Sequence, residues 1–413
     1  MRFKQFVLNI FLSAILFCGA SQLINPPPVI LDTIDLLVPG DGGSQLEAKL
    51  NKSDIVHYIC QKTTADYFSL WLNIELLVPI VIDCWVDNIK LVYDNVTRKT
   101  YNQPGVDIRV PGFGESFRVE WLDPTKLSPG AYFKDIGNAL VALGYQRDFN
   151  IRGAPFDFRK GPSESMDFFN NLKKLVEDTY VQNNNQKVIF IVHSMGGPMS
   201  VLFFQMMKES WKDKYIRSVV SLSGAFAGSI KALKVFVMGD DLGVFVLNQK
   251  VMKEMQITTP SLAWLMPSPV FWKPNEVLVQ TEAKNYSLSN IKDFFYDINY
   301  MTGWEMRKDQ EPYIKFDAPG VELHCLHGYG LQTVEKLYYK QGNFPENPYF
   351  QYGDGDGTVN RRSLASCLWW RDKQKKKIHY QAFPNMDHMQ ILRDDRIISY
   401  LVNLILELSR KSD

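Results

Sequence analysis

This chain has no surplus of charge of either sign: 46 Lys and Arg offset 45 Asp and Glu, leaving a formal net charge of +1 across 413 residues. A nucleic-acid binder needs a basic surface to displace counterions, so no nucleic-acid partner is expected. The short basic run from Lys373 to Lys377 reads as a solvated face. Long apolar runs are missing as well. The stretch from Phe6 to Phe17 offers about 12 apolar residues, too few to cross a bilayer, and no second span follows. Cysteine and histidine are scarce, with five and six copies, so any disulfide framework is sparse and the search for a catalytic base is short.

Arg2 and Lys4 precede the apolar stretch and Cys18-Gly19-Ala20-Ser21 follows it. This is the layout of a secretory signal over residues 1–20, leaving a mature chain from 21 to 413. The remaining cysteines fall in two local groups, Cys60 with Cys84 and Cys325 with Cys367. Three pairings are open, and four buried thiols are a further possibility; the wide gap between the groups favours local pairing. Sequons at Asn51, Asn95 and Asn285 suit a glycoprotein of the secretory route.

With 46% hydrophobic and 13% aromatic residues, the chain can bury one large α/β core with additions. Its sharpest local signal is Lys187-Val188-Ile189-Phe190-Ile191-Val192-His193-Ser194-Met195-Gly196-Gly197, an apolar strand ending in a serine near glycine. In an α/β-hydrolase a strained strand-to-helix turn lifts such a serine above the sheet, which makes Ser194 the candidate nucleophile. Leu36 to Gly40 predicts a first buried strand, with a Gly-rich turn at Asp41–Ser44 and a helix after it. Asp32 and Asp35 argue that residues 30–35 lie outside that strand. Residues 150–220 alternate helix and strand, the wiring of a mainly parallel sheet. From Ala225 to about Lys315 the alternation fades, which predicts a cap or lid over residues 225–315.

The stretch Tyr67 to Pro79 is apolar on more than one face. As a helix it would need a core or a lipid surface against it. The loop that Cys60 and Cys84 would close tips the reading toward a membrane-docking subdomain over residues 55–90, with Trp71, Leu72 and Leu76 as candidate lipid contacts. Further on, Tyr349 to Tyr352 leads into Gly353-Asp354-Gly355-Asp356-Gly357-Thr358, and a strand at Ile378–Phe383 leads into Pro384-Asn385-Met386-Asp387-His388. An acidic loop followed by a histidine loop is the order Ser, Asp, His that the fold requires. The acidic loop lacks the later oxygen series of a calcium loop, so no metal is expected there. Of the six histidines, His388 is best placed as base: His57 precedes the sheet, His193 is turned away by the serine turn, His324 and His327 read as packed, and His379 begins a strand.

At this point the chain resembles the family of lecithin:cholesterol acyltransferase and lysosomal phospholipase A2, and is more similar to its lysosomal side. The resemblance covers nearly the whole mature chain. It rests on Val38-Pro39-Gly40-Asp41, Gln45-Leu46-Glu47-Ala48-Lys49, Leu70-Trp71-Leu72-Asn73, Asp83-Cys84-Trp85, Arg152-Gly153-Ala154-Pro155, His193-Ser194-Met195-Gly196, Leu323-His324-Cys325-Leu326, Gly355-Asp356-Gly357-Thr358-Val359-Asn360 and His388. It implies Ser194 as nucleophile, Asp356 as orienting acid, His388 as base, and the Asp41 and Met195 amides as oxyanion hole. It also implies disulfides Cys60–Cys84 and Cys325–Cys367, a membrane-binding segment between the first pair, and a lid around Gly239-Asp240-Asp241-Leu242-Gly243.

The activity implied is a calcium-independent phospholipase A and acyltransferase without cofactor. It would work on phospholipid membranes or lipoprotein-like lipid surfaces, passing the acyl group to water or to a lipophilic alcohol such as ceramide. The implied destination is the lysosome lumen, with secretion as the alternative. A lipid-binding glycoprotein without turnover and a neutral-lipid or sterol-ester hydrolase are the rival readings. The chain departs from the family at Val192, where Ala or Gly is usual, at Gly197 in place of Asn, and at Gly42 in place of a larger apolar residue. Residues 31–36 read as an insertion before the first strand.

Overall fold

Six short segments form strands, the inner ones carrying β-branched and aliphatic residues on both faces, which suits strands covered on both sides by helices. They are β1 (Ile34–Val38), β2 (Ile151–Gly153), β3 (Val188–His193), β4 (Ile216–Leu222), β5 (Leu323–Tyr329) and β6 (Ile378–Pro384). In the computed structural model, which describes residues 33–126, 130–241 and 248–410, they form one sheet in the order β6-β5-β4-β3-β1-β2. Every neighbouring pair is parallel. The leader expected at 1–20, and the implied lid from Leu242 onward, lie outside the described residues.

From β1 the chain moves outward to β2 and then returns to β3 on the other side. The carboxyl ends of β1 and β3 therefore flank the point where the winding reverses, the usual place for a site in such sheets. The turn at Gly40–Asp41 and the turn at Ser194 both lie there.

Three expectations need correction. Ile34 and Asp35 are not outside the first strand: β1 is fully buried from Ile34 to Val38, and Asp35 pairs in register with Ile151 and Ile189. An aspartate tolerates this position by keeping its proton, as burial pushes its carboxyl up to about 8 against a smaller opposing effect of Tyr145. No helix follows the Gly-rich turn. Leu46–Leu50 instead alternates buried and more open positions and pairs antiparallel with Phe68–Trp71 and Val106–Arg109. The stretch 67–79 is likewise not a helix but a strand, Phe68–Trp71, then a short 3-10 turn at Ile74–Leu77 whose Glu75 amide is capped by the Asn73 side chain. Cross-strand pairing outweighs local pattern in both cases.

Cys60 bonds Cys84, and Cys325 bonds Cys367. Asn51, Asn95 and Asn285 are all exposed. Within residues 225–315 the helices Lys231–Met238, Ile291–Asp297 and Met301–Gln310 enclose a core of their own, including Phe236, Trp272, Phe294 and Met306. The strands Asn285–Tyr286 and Val279–Gln280 of this region join Leu331–Tyr338 and Tyr349–Gly355 in a separate four-stranded sheet.

Candidate active site

At the end of β3 the chain turns so sharply that Ser194 has φ 53°, a conformation few non-glycine residues adopt and one that accompanies functional turns. Two glycines let the turns close on each other. A Cβ on Gly40 would sit 2.6 Å from the Ser194 Cβ, and one on Gly196 would sit 2.4 Å from the Pro39 carbonyl. The helix Gly196–Met206 starts directly after the serine, with Met195 at its N-cap.

The structure brings together the three residues singled out from sequence. Ser194 Oγ lies 2.9 Å from His388 Nε2, and His388 Nδ1 lies 2.7 Å from Asp356 Oδ2. Asp356 is fully buried. Its other oxygen accepts the Thr358 and Val359 amides at 3.1 and 2.8 Å. Burial disfavours its charge, but His388 and these amides outweigh burial and hold it below the usual carboxylate range. The strand before it, Tyr349–Gly355, belongs to the four-stranded sheet, so the acid reaches the serine from outside the central sheet.

His193 is not turned away from the site. Its Nδ1 meets the Tyr132 hydroxyl and its Nε2 lies 2.9 Å from the His388 carbonyl. Tyr132 Oη in turn accepts the Gly40 amide at 3.0 Å. One tautomer satisfies the whole series: Gly40 N–H to Tyr132, Tyr132 O–H to Nδ1, and Nε2–H to the His388 carbonyl. Burial holds the His193 ring down at about 3, with the neighbouring His388 adding to the effect, so it stays neutral. The series ties the turn after β1 to the backbone of the histidine loop. His193 was visible beside the serine, but its direction depends on Tyr132, which no local motif marks.

The Asp41 side chain is exposed to solvent, yet the protein mass around it partly desolvates its carboxyl. That desolvation raises its carboxyl to about 6; Lys231 opposes the shift and Asp240 adds to it. Lys231 and Lys234 both pair with Asp240, at 3.1 and 2.8 Å. Val192 is fully buried in the core and lines a small void together with Gly197, so its branched side chain occupies space beside the residue that lacks one. A separate apolar cavity of about 30 Å³ between Pro198, Phe226, Trp264 and Trp370 contains none of the three site residues.

Trp71, expected to face lipid, faces inward. It is 5% exposed, its Nε1 donates to the Gly42 carbonyl at 2.7 Å, and its ring would stand in ordinary contact, 3.4 Å, with a Cβ at Gly42. Leu72 and Leu76 are half-buried against the core. The outward apolar residues of the disulfide-tied segment are Val56, Tyr58, Ile59, Ile74, Val78 and Ile80.

A family model described as "Lecithin:cholesterol acyltransferase" matches residues 67–317 and 314–395. A human protein named "Lysosomal phospholipase A and acyltransferase" is 43% identical over 382 residues, 92% of this chain and 90% of its own. The rat protein of the same name is 43% identical over 92% of this chain and 91% of its own. A "Phosphatidylcholine-sterol acyltransferase" of Gallus gallus is 41% identical over 86% of each chain.

Proposed function

Because the chain belongs to the lecithin:cholesterol acyltransferase family, we propose that it is a serine phospholipase A and acyltransferase of the lysosome lumen. The observation that carries the proposal is the hydrogen-bonded series Ser194, His388, Asp356 beside the turn after β1. His388 Nε2 takes the Ser194 proton as Oγ attacks a fatty-acyl ester of a glycerophospholipid. Asp356 fixes the Nδ1–H tautomer and stabilises the imidazolium that forms. The Asp41 and Met195 amides stabilise the tetrahedral oxyanion. His388 then protonates the departing lysophospholipid alcohol, leaving an acyl-serine. Water or the hydroxyl of a lipophilic alcohol such as ceramide, deprotonated by His388, releases the acyl group as fatty acid or as a new ester.

Residues 225–315 act as cap, with the lid around Gly239–Gly243, in an α/β-hydrolase fold. The segment between Cys60 and Cys84 docks on the membrane through its outward residues rather than through Trp71. Replacing Ile80, 58% exposed, by aspartate is expected to reduce co-flotation with anionic vesicles several-fold without lowering hydrolysis of a monomeric soluble ester. Equal flotation of both forms would remove this segment from the docking surface.

The pH response follows from Asp41. Its carboxyl is neutral below about 6 and charged above it, and a negative charge beside the forming oxyanion weakens transition-state stabilisation. Turnover is therefore expected to fall as pH rises through that value. Vesicles of phosphatidylcholine, an anionic lipid and ceramide, incubated at about pH 5 and about pH 7.5, should yield both free fatty acid and acyl-ceramide, faster in acid. Vesicle binding with neither product at either pH would leave a lipid-binding protein without turnover.

A further inference from the structure

Away from the serine, Glu322, His324 and His379 bring three metal-type donor atoms within 4.8 Å of one another. They stand at the amino ends of β5 and β6, where the register pairs His324 with His379. The two rings stack at 4.1 Å. His379 Nε2 lies 2.8 Å from Glu322 Oε1, and His324 Nε2 lies 3.8 Å from the same oxygen. Tetrahedral zinc with ligands near 2.1 Å sets donor atoms about 3.4 Å apart, and these two separations lie on either side of that value.

A second observation points to a ligand. His324 is 3% exposed and its Nε2 has no hydrogen-bond partner. Its Nδ1 is 2.6 Å from the Tyr400 hydroxyl. If the tyrosine oxygen accepts Nδ1–H, a bare Nε2 lone pair faces a carboxylate, a buried acceptor with nothing to accept. If the tyrosine donates instead, Nε2–H stands too far from Glu322 to bond. A cation at this point removes the conflict once the part-exposed His379 ring turns out of the stack, so that its in-plane Nε2 lone pair converges with that of His324 on the ion; the Tyr400 contact is then the outer hydrogen bond that metal-bound histidines ordinarily make. Glu322 and His379 retain 32% and 28% side-chain exposure, which leaves an entry path and room for water as fourth ligand. Glu407 and Lys377 also face His324, with opposite charge.

We propose that Glu322, His324 and His379 bind one divalent transition metal of the zinc type, which staples the edge strand β6 to β5. Two imidazoles and one carboxylate favour zinc, nickel, copper or cobalt over calcium or magnesium. Tyr400 lies on the helix Asp395–Arg410, so the same site reaches the last helix. The site stands at the opposite end of the parallel strands from Ser194 and takes no part in acyl transfer.

The test uses the full glycosylated chain, stripped with chelator and then titrated with Zn²⁺ and separately with Co²⁺. Wild type is compared with Glu322→Gln, His379→Leu and His388→Ala. The last controls for metal captured by the acyl-transfer site. The expected result is one equivalent of tight metal, visible Co²⁺ absorption of a four- or five-coordinate ion, and a raised Tm. Affinity should drop at least tenfold in Glu322→Gln and His379→Leu and stay unchanged in His388→Ala. Glu322→Gln is isosteric and half-exposed, so its folding, followed by circular dichroism, keeps the comparison valid if the leucine variant is unstable. No tight binding to wild type, equal binding in Glu322→Gln, or binding lost only in His388→Ala would overturn the proposal.

Discussion

Ser194→Ala is expected to lower free fatty acid and acyl-alcohol formation together, each by roughly 10⁴-fold or more. In the mechanism proposed above both products descend from one acyl-serine, so removing Oγ leaves neither route. What persists comes from the oxyanion amides and from binding, which still favour attack by water. The loss must be separated from misfolding. Serine already bears the Cβ strain of φ 53°, so alanine adds little of its own and the variant should remain folded with a nearly unchanged Tm. In wild type, adding acceptor should raise acyl-alcohol at the expense of fatty acid while phospholipid consumption holds steady, if acylation limits the rate. Retention of more than a tenth of wild-type fatty-acid release by a folded Ser194→Ala protein would mean that the nucleophile lies elsewhere.

The second large effect is on stability and arises from Asp35. The native carboxyl is raised to about 8 from an ordinary value of 3.8, so between these two pH values the folded chain holds a proton that the unfolded chain has released. Folding stability from this group is therefore highest in acid and declines as pH climbs toward 8. Each pH unit in the window is worth ~1.4 kcal/mol. Asp35→Asn removes the titration while keeping size and polarity. It should raise stability by about 1.7 kcal/mol near pH 5 and by roughly 5 kcal/mol at about pH 7.5, a difference of roughly 3 kcal/mol between the two. Denaturant unfolding of both proteins at the two pH values reads this difference. A parallel pH dependence in wild type and variant would show that the Asp35 carboxylate is ionised and hydrated in the native protein. Asp35 and Asp41 thus both make an acidic compartment the more favourable setting, one through stability and one through turnover.

The parts of the site legible in the sequence were those with a short-range cause. Ser194 follows an unbroken apolar strand and precedes glycine, and the loops bearing Asp356 and His388 each follow recognisable strands. What escaped the sequence was set by distant partners. Asp35 looked incompatible with a buried strand because an aspartate is read as charged; the protonated form fits between Ile151 and Ile189. Phe68–Trp71 looked helical because its apolar residues lie on more than one face, yet Leu46–Leu50 pairs with it as a strand. Trp71 looked like a lipid contact, yet its ring is held inward by a hydrogen bond to the distant Gly42 carbonyl. His193 was set aside because its role depends on Tyr132, 61 residues away.

The histidine that pairs with Ser194 arrives 194 residues later in the chain, on the loop after the final strand at the sheet edge. Closing so long a segment costs roughly 5 kcal/mol of chain entropy, little more than a loop of half that length, so the distance is cheap once the protein is whole. It matters during synthesis. A nascent chain emerging from the ribosome completes the serine turn long before it contains its base, and any fragment ending before residue 388 carries a serine with no proton acceptor. By the mechanism proposed above, the protein is thus inert until its last strand has been translated and docked.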